Sequence, residues 1–422
     1  MSAVDAAWLR MDSAENPMII TALMLLDGQV EPSVLRDIVE RRLLGFERFR
    51  QRAIDPSSPL VRPEWAEDPT FDVAHHVETV DGRSHPLGPA ALADVVSGIM
   101  SSPLDRSRPL WKLSLVPGVI LEDGRPLTAL VARIHHAVAD GVALVHVLMR
   151  LTDEGADVEL PEIGVERGRP TSAHELWSRV SLDARSLLRM LILLPDERTM
   201  LKTPLTGRKR AAFSSAVSLD GVKAIARSTK SKVNDVLTAA IAGALRSAMG
   251  FASHWLEGPV RALVPVYVRG KEGLGNHFGL VYADLPVAAA DPLERLHRAR
   301  VAMQSAKDSP DAHVAVGVLG ALGASQPLER LGIDIFTSKA SMLITNVPGP
   351  PMAVHLGGHE LVAPVVWAPV SGSLGLGFSL LSYAGTVRLG VATDESVPVA
   401  PSALVRAFEQ EIELLASVAS SP

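Results

Sequence analysis

One stretch of the chain, LTALVARIHHAVADG at Leu127–Gly141, decides the fold. Its first eight residues are apolar almost throughout, which predicts a central β-strand over Leu127–Ile134. The apolar residues of Gly141–Leu151 recur at helical spacing, so we expect a tight turn and then a helix. A residue at the end of a central strand faces the cleft outside the sheet, where α/β folds place their ligands. The segment therefore predicts an α/β fold with a histidine site at this strand end.

The polar residues of this segment suggest separate roles. Adjacent residues of a strand point to opposite faces, so only one of His135 and His136 can face a given reactant, and we expect the other to be structural. Asp140 is placed to cap the following helix or to pair with an arginine that holds the loop. Gly141 permits a close backbone approach that a side chain would resist.

Two other interpretations of the motif are open. The histidines and Asp140 are also consistent with a buried structural pair that is followed by a helix cap. A zinc site needs a third protein ligand, and the candidates lack the helical HExxH spacing, so no bound metal is expected; these candidates are His75, His76 and His146. The run His75–Gly82 has four residues between its histidine pair and Asp-Gly, and we expect it to be a surface strand and a turn.

The composition is that of a large globular protein. The chain has 422 residues, of which 47% are hydrophobic and 21% charged, which suggests two or three domains and excludes wholesale disorder. It contains no cysteine, which rules out disulfides, cysteine nucleophiles and thiolate metal sites. The net charge of −6 argues against a general nucleic-acid binder, which needs a basic surface.

The apolar segments do not predict a membrane span. The N-terminus has no basic region followed by a long apolar run, so we expect no signal peptide. The longest stretch without a charged residue, Leu361–Val387, is interrupted by prolines and glycines and therefore predicts strands and turns. These features, together with the absence of cysteine, lead us to expect a cytoplasmic protein.

Strand and helix patterns alternate along the chain and divide it into three parts. Residues 1–151 predict an N-terminal αβ domain that contains the histidine motif. Residues 152–210 are charged and rich in glycine and proline, apart from a helical pattern at Ala173–Leu194, and predict a linker. Residues 211–422 predict a second αβ domain, whose strongest helical pattern is Asn234–Met249.

Several short motifs occur in the same order as in a known family. His135-His136-xxx-Asp140-Gly141 resembles the active-site motif of the CoA-dependent acyltransferase superfamily, which includes chloramphenicol acetyltransferase and peptide-synthetase condensation domains. Five further segments resemble the bacterial wax ester synthase/diacylglycerol acyltransferase family: Ser2-xx-Asp5-xx-Trp8-Leu9, Pro109-Leu110-Trp111, Val233-Asn234-Asp235-Val236, Asn346-Val347-Pro348-Gly349-Pro350 and Leu381-Ser382-Tyr383-Ala384-Gly385. The likeness covers nearly the whole chain, and jointly these motifs are specific.

The resemblance implies a fold and an activity. The fold is α/β, with two chloramphenicol-acetyltransferase-like domains, mixed sheets flanked by helices, and the active site at the domain interface. The activity is transfer of a fatty acyl group from acyl-CoA to the hydroxyl of a diacylglycerol or a long-chain alcohol. By the family pattern His136 is the general base, a role that suits a side chain titrating near neutral pH. His135 is supportive, and Asp140 holds the loop through an ion pair.

Three asparagines and an N-terminal acidic residue complete the candidate site. The family pattern makes Asn276 a donor to the tetrahedral oxyanion, with an ordinary turn residue as the alternative. We favour Asn234 as a helix N-cap over a site residue, and we expect Asn346 to shape a turn. Asp12 stands where many family members have glutamate, and Ile19 replaces a usual histidine, which affects the acceptor end of the site.

Other segments bear on substrate binding. Three basic residues at helical spacing are candidates to screen the CoA phosphates, unless they form a solvated charged face: Lys223, Arg227 and Lys230. Arg208–Arg210 is a second basic group near them in sequence. Arg185–Leu194 either lies on an anionic membrane surface or packs across the two domains. Ala312–Leu328 either leaves room for an acyl chain or is plain core.

The expected partners follow from this resemblance. Fatty acyl-CoA is the co-substrate, a lipid alcohol or diacylglycerol is the acceptor, and no permanently bound cofactor is implied. Such substrates suggest a peripheral position at the inner membrane or at lipid inclusions, and we expect a monomer or a homodimer. Two alternatives are an acyltransferase for another hydroxylated lipid or polyketide acceptor, and a catalytically silent lipid-binding relative. The intact histidine motif argues against the silent binder, because a pure binder needs no base there.

Overall fold

A computed structural model describes residues 1–58, 61–81, 86–121, 124–139, 141–155, 200–250, 260–267, 278–308 and 337–419. The helices in these ranges are α1 (Ala3–Met11), α2 (Pro32–Arg42), α3 (Pro89–Met100), α4 (Gly141–Leu151), α5 (Leu219–Ser228), α6 (Val233–Ala248), α7 (Pro292–Asp308) and α8 (Pro401–Ala419). The strands are β1 (Ile19–Asp27), β2 (Gln51–Ile54), β3 (Glu64–Glu67), β4 (Val77–Thr79), β5 (Trp111–Ile120), β6 (Pro126–His135), β7 (Lys209–Phe213), β8 (Val217–Ser218), β9 (Val260–Tyr267), β10 (Phe278–Leu285), β11 (Met342–Pro348), β12 (His355–Leu356), β13 (His359–Trp367), β14 (Leu376–Tyr383) and β15 (Thr386–Asp394).

The first sheet contains the strand of the histidine motif. Its order is β12-β13-β1-β6-β5-β4, so β6 lies inside the sheet, as its apolar sequence predicts. β6 pairs antiparallel with β1 and β5, whereas β4 pairs in parallel with β5. The sheet is therefore mixed, and the prediction of a central strand that ends at the motif is confirmed.

The second sheet is also mixed and is covered by helices. Its order is β10-β9-β11-β14-β15-β7, with β8 beside β15. β11 pairs in parallel with both β9 and β14, and the other pairs are antiparallel. Buried apolar residues of α5, α6, α7 and α8 form one core with this sheet. The α/β fold class predicted from the sequence is confirmed.

The two faces of β6 pack in different cores. Its even-numbered apolar residues, such as Leu130 and Ile134, share a core with Trp8 of α1 and with residues of α2 and α4. Its odd-numbered residues, such as Val131, share a core with α3, β13, β7 and β15. Because side chains of a strand alternate, the two histidines at its end are directed toward different surroundings.

Strand β13 belongs to the first sheet although it comes late in the chain. It pairs antiparallel with β1, with Thr21 opposite Trp367 and Leu23 opposite Val365. The boundaries at residues 1–151, 152–210 and 211–422 remain a prediction. The topology adds that β12 and β13, which lie within the predicted C-terminal domain, complete the N-terminal sheet.

The end of β13 also contacts the second sheet. The indole N–H of Trp367 donates to the carbonyl oxygens of Ala212 and Val391, each at 3.2 Å. A side chain at Gly390 would place its Cβ 2.4 Å from the carbonyl oxygen of Val366, so only glycine allows this approach. The end of β13, a strand of the first sheet, therefore also packs against the second sheet and joins the two sheets.

A buried polar cluster fixes the same junction near the start of β1. Lys209 donates to the carbonyl of Glu15 at 2.7 Å and to Oδ1 of Asn16 at 2.6 Å, and it lies 3.4 Å from Asp394. Asn16 in turn donates to the carbonyl oxygens of Gly372 at 2.7 Å and Leu374 at 3.0 Å. This cluster holds the segment before β1 against the second sheet.

Asp394 is the anionic centre of this cluster. Its carboxylate accepts hydrogen bonds from Thr206, Gly207 and Ser396. Burial alone would raise the pKa of Asp394, but these hydrogen bonds and the charge of Lys209 outweigh it and lower the pKa to about 2. The folded protein therefore holds this group as a carboxylate.

We expect Asp394→Asn to lower the free energy of unfolding by about 3–5 kcal/mol, because it leaves Lys209 buried without its counter-charge. The lowered pKa means that Asp394 stabilises the fold above about pH 4 and that this contribution is lost as the pH falls toward 2. The wild-type advantage over Asp394→Asn should shrink over that range in urea unfolding. Asp220→Asn, at a side chain that is 86% exposed, is the control and should change stability little. A constant difference across this pH range would contradict the assignment.

Candidate active site

The histidine motif lies where β6 gives way to α4. The strand ends at His135, the chain turns through His136–Ala139, and the helix begins at Gly141, as the sequence predicts. The backbone N–H of His136 donates to the carbonyl of Met18 at 2.7 Å, which extends the pairing of β6 with β1. The backbone under both histidines is thus held by the neighbouring strand.

The side chain of His136 packs on α1. Its imidazole stacks on the indole of Trp8, with ring centroids 3.9 Å apart and an angle of 26° between the planes. His136 and Trp8 are each only 8% exposed. The stacking contact therefore covers one face of the imidazole with an aromatic surface.

Burial controls the protonation of His136. Desolvation by burial, reinforced by the neighbouring imidazole of His135, lowers the pKa of His136 to about 3. The imidazole is therefore neutral at pH 7 and available to accept a proton.

His135 is turned toward a different set of partners. Its Nδ1 accepts a hydrogen bond from the backbone N–H of Ala137 at 3.0 Å, so the proton of the neutral ring lies on Nε2. That Nε2 is 3.6 Å from Oδ1 of Asp12. His135 is buried and tied to the turn on one side and to a carboxylate on the other, which is the geometry of a supporting residue.

Asp12 joins the motif to the start of β1. It caps the C-terminus of α1, and its Oδ1 accepts a hydrogen bond from the N–H of Met18 at 2.7 Å. Its Oδ2 lies 3.6 Å from Arg106. Burial would raise the pKa of Asp12, but His135, the Met18 N–H and Arg106 outweigh it and hold the pKa below its ordinary value. One carboxylate thus contacts both His135 and the residue whose carbonyl holds His136.

Two members of this arrangement were not assigned from the sequence. In the sequence, Trp8 belongs only to the family-like opening, and Arg106 lies in none of the motifs. The available signal was the start of α1, where Ser2 is followed three residues later by Asp5, a pattern typical of helix N-termini. In the structure Ser2 caps α1 by accepting from the N–H of Asp5 at 3.0 Å.

The second histidine pair is followed by an edge strand, β4, as the sequence predicts, but His76 itself is buried and does not lie at the surface. The predicted turn at Asp81-Gly82 extends beyond the described residues. His76 stacks on Trp111 with centroids 4.4 Å apart, and its Nδ1 lies 2.8 Å from the carbonyl oxygen of Trp111. His76 is buried because it packs on the ring of Trp111, although the strand that follows, β4, lies at the sheet edge. His76 therefore has a structural role, whereas His75 is exposed.

Asn234 is not the helix N-cap that the sequence suggested. Helix α6 begins at Val233, one residue before Asn234, and Lys232 is its N-cap. The carboxylate of Asp235 accepts a hydrogen bond from the N–H of Lys232 at 2.8 Å. The freed side chain of Asn234 accepts a hydrogen bond from Nδ2 of Asn346 at 2.6 Å. Asn346 lies within β11, so its expected turn is also wrong. The two asparagines from separate motifs therefore meet.

The three basic residues expected to face CoA differ in their surroundings. Lys223 pairs with Asp220 at 3.0 Å on the exposed face of α5. Arg227 lies in the last turn of α5, and Lys230 follows in a left-handed conformation with φ of 54°. The loop at Lys230 borders a surface cleft whose lining includes Ser228, Ser231, His297 and Arg300.

Several predicted positions lie outside the described residues. These are Asp140, Asn276, and the segments Arg185–Leu194 and Ala312–Leu328. Among the residues that the structure does describe, no group of histidine, aspartate and glutamate side chains is arranged to hold a metal ion. None of the helices in the described ranges combines the length and apolar character that crossing a bilayer requires.

The architecture defines a class of protein. The first condensation domain of the calcium-dependent antibiotic synthetase superposes with a TM-score of 0.63 over 100% of this chain and 96% of its own, at 17% identity. At that identity the likeness concerns the fold alone. The chain therefore shares the fold of condensation domains, with two mixed sheets flanked by helices.

Sequence comparison narrows the class to a family. The family model of the wax ester synthase/diacylglycerol acyltransferase catalytic domain matches residues 1–176, and that of the WS/DGAT C-terminal domain matches residues 274–416. The chain belongs to the wax ester synthase/diacylglycerol acyltransferase family. The resemblance predicted from the short motifs is confirmed.

Individual relatives are similar over nearly their full length. A protein named a probable diacylglycerol O-acyltransferase from Mycobacterium tuberculosis is 29% identical over 435 residues, covering 93% of this chain and 94% of its own. A second one from the same organism is 25% identical and covers 99% and 96%. The solved wax ester synthase/diacylglycerol acyltransferase from Marinobacter aquaeolei VT8 is 25% identical, with a TM-score of 0.72 over 99% of this chain and 98% of its own.

The low pKa of His136 makes a prediction about stability. Between pH 6.5 and about 3 the unfolded chain binds a proton at this residue that the folded chain does not. Burial of the neutral His136 side chain therefore contributes fully to the free energy of unfolding above pH 6.5, and this contribution is lost as the pH falls toward 3. In His136→Gln the contribution is absent, so the wild-type advantage should fall by up to about 1.4 kcal/mol per pH unit on acidification.

The measurement is urea unfolding of both proteins at pH 7.5, 6.0 and 5.0. His75→Gln, at an exposed histidine of the same sequence region, is the matched control and should show no such trend. An equal slope for His136→Gln and His75→Gln would mean that His136 is not held neutral by burial.

Proposed function

We propose that the protein transfers a fatty acyl group from acyl-CoA to the hydroxyl of a diacylglycerol or a long-chain alcohol, with His136 as the general base. The observation that carries the proposal is the position of a buried, neutral histidine at the end of the central strand of an acyltransferase fold. The names of the mycobacterial relatives and of the Marinobacter enzyme support this class of substrates.

The chemistry requires one proton acceptor. In the proposed reaction His136 takes the hydroxyl proton as the acceptor oxygen attacks the thioester carbonyl. The tetrahedral intermediate then collapses, the C–S bond breaks, and the imidazolium returns the proton to the departing CoA thiolate. The products are an ester and free CoA, with no covalent acyl-enzyme, which suits a chain without cysteine. A positioned general base is typically worth about 10²–10⁴-fold in rate.

Other residues are assigned supporting roles. His135 and Asp12 hold the turn and the start of β1, through the contacts with Ala137 and Met18. We also propose that Asp140 holds the loop through an ion pair and that Asn276 donates to the oxyanion, a role worth roughly 3–4 kcal/mol.

The acceptor end of the site is proposed to be apolar. Ile19, which replaces a histidine usual in the family, lies opposite His135 in the register of β1 with β6. An aliphatic side chain there favours a lipid acceptor over a strongly polar one. With such substrates, we propose that the enzyme works at a membrane or lipid-inclusion surface.

The primary test is acceptor-dependent release of free CoA from palmitoyl-CoA, with hexadecanol, with a diacylglycerol and with no acceptor. We expect His136→Ala to lose about 10²–10⁴-fold in kcat and His135→Ala to lose less, because His135 acts through the loop. His75→Ala, at an exposed histidine, is the matched control.

Acceptor-dependent release that persists in His136→Ala would refute the base assignment. Acyl-CoA binding without release, tested also with hydroxylated polyketide and glycolipid acceptors, would favour a silent binder over an acyltransferase.

Recognition of the CoA phosphates is proposed at Arg227 and Lys230, beside the cleft bordered by α5 and α7. Arg227→Ala and Lys230→Ala should each raise the KM for acyl-CoA about 3–10-fold and leave kcat nearly unchanged, because the contacts are equal in ground and transition states. Lys223→Ala should have a smaller effect, since Lys223 already pairs with Asp220.

Arg298→Ala removes one positive charge from α7 at an arginine that already pairs with Glu294, and it is the control. An unchanged KM in the Arg227→Ala, Lys230→Ala double variant would exclude this subsite.

A further inference from the structure

The stack of His136 on Trp8 is closer than the stack of His76 on Trp111. The ring centroids are 3.9 Å apart in the first and 4.4 Å apart in the second. The 26° angle places the imidazole over the indole face. Any positive charge on His136 would therefore lie against the π surface of tryptophan, which attracts cations more strongly than other aromatic rings.

The indole is held in this position from both ends of α1. Ser2 caps the first turn, and Asp5 in that turn pairs with Arg48 at 3.5 Å. At the other end Arg10 donates to the carbonyl of Val61 at 2.8 Å, and Asp12 accepts from Met18. Because a nine-residue helix is marginal alone, these contacts are what fix Trp8 against the motif.

A base in this environment faces an energetic problem during the reaction. Burial favours the neutral imidazole, so the proton taken from the acceptor creates a charge with little solvent around it. The elements next to His136 carry these titratable side chains in the described residues: Asp5 and Arg10 on α1, Asp12 and Arg106 beside it, Asp27 on β1, Lys112 on β5, Arg133 and His135 on β6, and His146 and Arg150 on α4. Asp140 lies outside the described residues. Asp12 is directed at His135, Met18 and Arg106, and Asp5 is paired with Arg48. The group in face-to-face contact with the imidazole is the indole of Trp8.

We propose that Trp8 is a positioning residue for His136 whose indole face stabilises the imidazolium that forms during acyl transfer, in addition to fixing the plane of the ring. This inference rests on the proposed role of His136 as the general base. It differs from a packing role, because stabilisation of a transient cation depends on the electron density of the indole and not on its shape.

Fluorinated tryptophans separate these two roles. Fluorine withdraws electron density from the ring and weakens its attraction for a cation, while the size of the side chain changes little. We would place tryptophan analogues with increasing numbers of fluorine atoms at position 8 alone, and measure kcat, KM for palmitoyl-CoA and the melting temperature. The matched control places the same analogues at Trp367, which is buried in the other core of the first sheet.

We expect kcat to fall stepwise with each fluorine at position 8, by about 10-fold across the series, with KM and melting temperature nearly constant. The acid limb of the kcat–pH profile should move to lower pH, because the weakened contact destabilises the protonated base. The series at position 367 should be flat. Trp8→Phe should retain more activity than Trp8→Leu, since phenylalanine keeps a weaker π face.

The outcomes distinguish the inference from the proposed function. A flat kcat across the fluorine series at position 8, together with loss of activity in His136→Ala, would overturn the role of Trp8 and leave the base assignment intact. Acceptor-dependent CoA release that survives in His136→Ala would overturn both. A melting temperature that falls in parallel with kcat would assign Trp8 to packing and also overturn the inference.

Discussion

The pairing of β1 with β6 is the constraint on which the rest of the site depends. It continues past the last residue of β6, because the N–H of His136 donates to the carbonyl of Met18. Met18 is fixed in turn by the carboxylate of Asp12, which also lies beside His135. These hydrogen bonds hold the backbone of His136 at a position where burial lowers the pKa of its side chain.

This site is held in place by contacts that are distant in sequence. The segment before β1 is tied to the second sheet through Asn16, Lys209 and Asp394. Lys209 is more than 180 residues away along the chain from each of the other two. The end of β13 contacts both sheets through the indole of Trp367. Movement of the second sheet relative to the first would therefore reach the loop that positions the histidines. These contacts join the two sheets although each sheet has its own core.

The sequence was sufficient for the features that depend on local pattern. The apolar run before the motif predicted the central strand, and helical spacing predicted α4 and α6 in nearly their observed bounds. What it did not predict depends on pairing between distant segments. To place β13 in the first sheet, one must know which strand pairs with the edge of β1 that β6 leaves open. The burial of His76 requires its neighbour Trp111, and the contact between Asn234 and Asn346 joins two motifs 112 residues apart. The stack of Trp8 on His136 belongs to the same class of missed contacts.

The late position of β13 also bears on how the chain is made. Until residues 359–367 have been synthesised, β1 has no partner on one side, and its edge exposes the backbone groups of a very apolar strand. The first sheet therefore lacks one strand next to β1 through most of translation. A chain that ends before β13 would present a strand of Leu23, Met24 and Leu25 to any other strand in reach, which is the arrangement that favours aggregation. Because the C-terminal part of the chain contributes β13, the sheet that contains the histidine motif is completed only when most of the chain has been made.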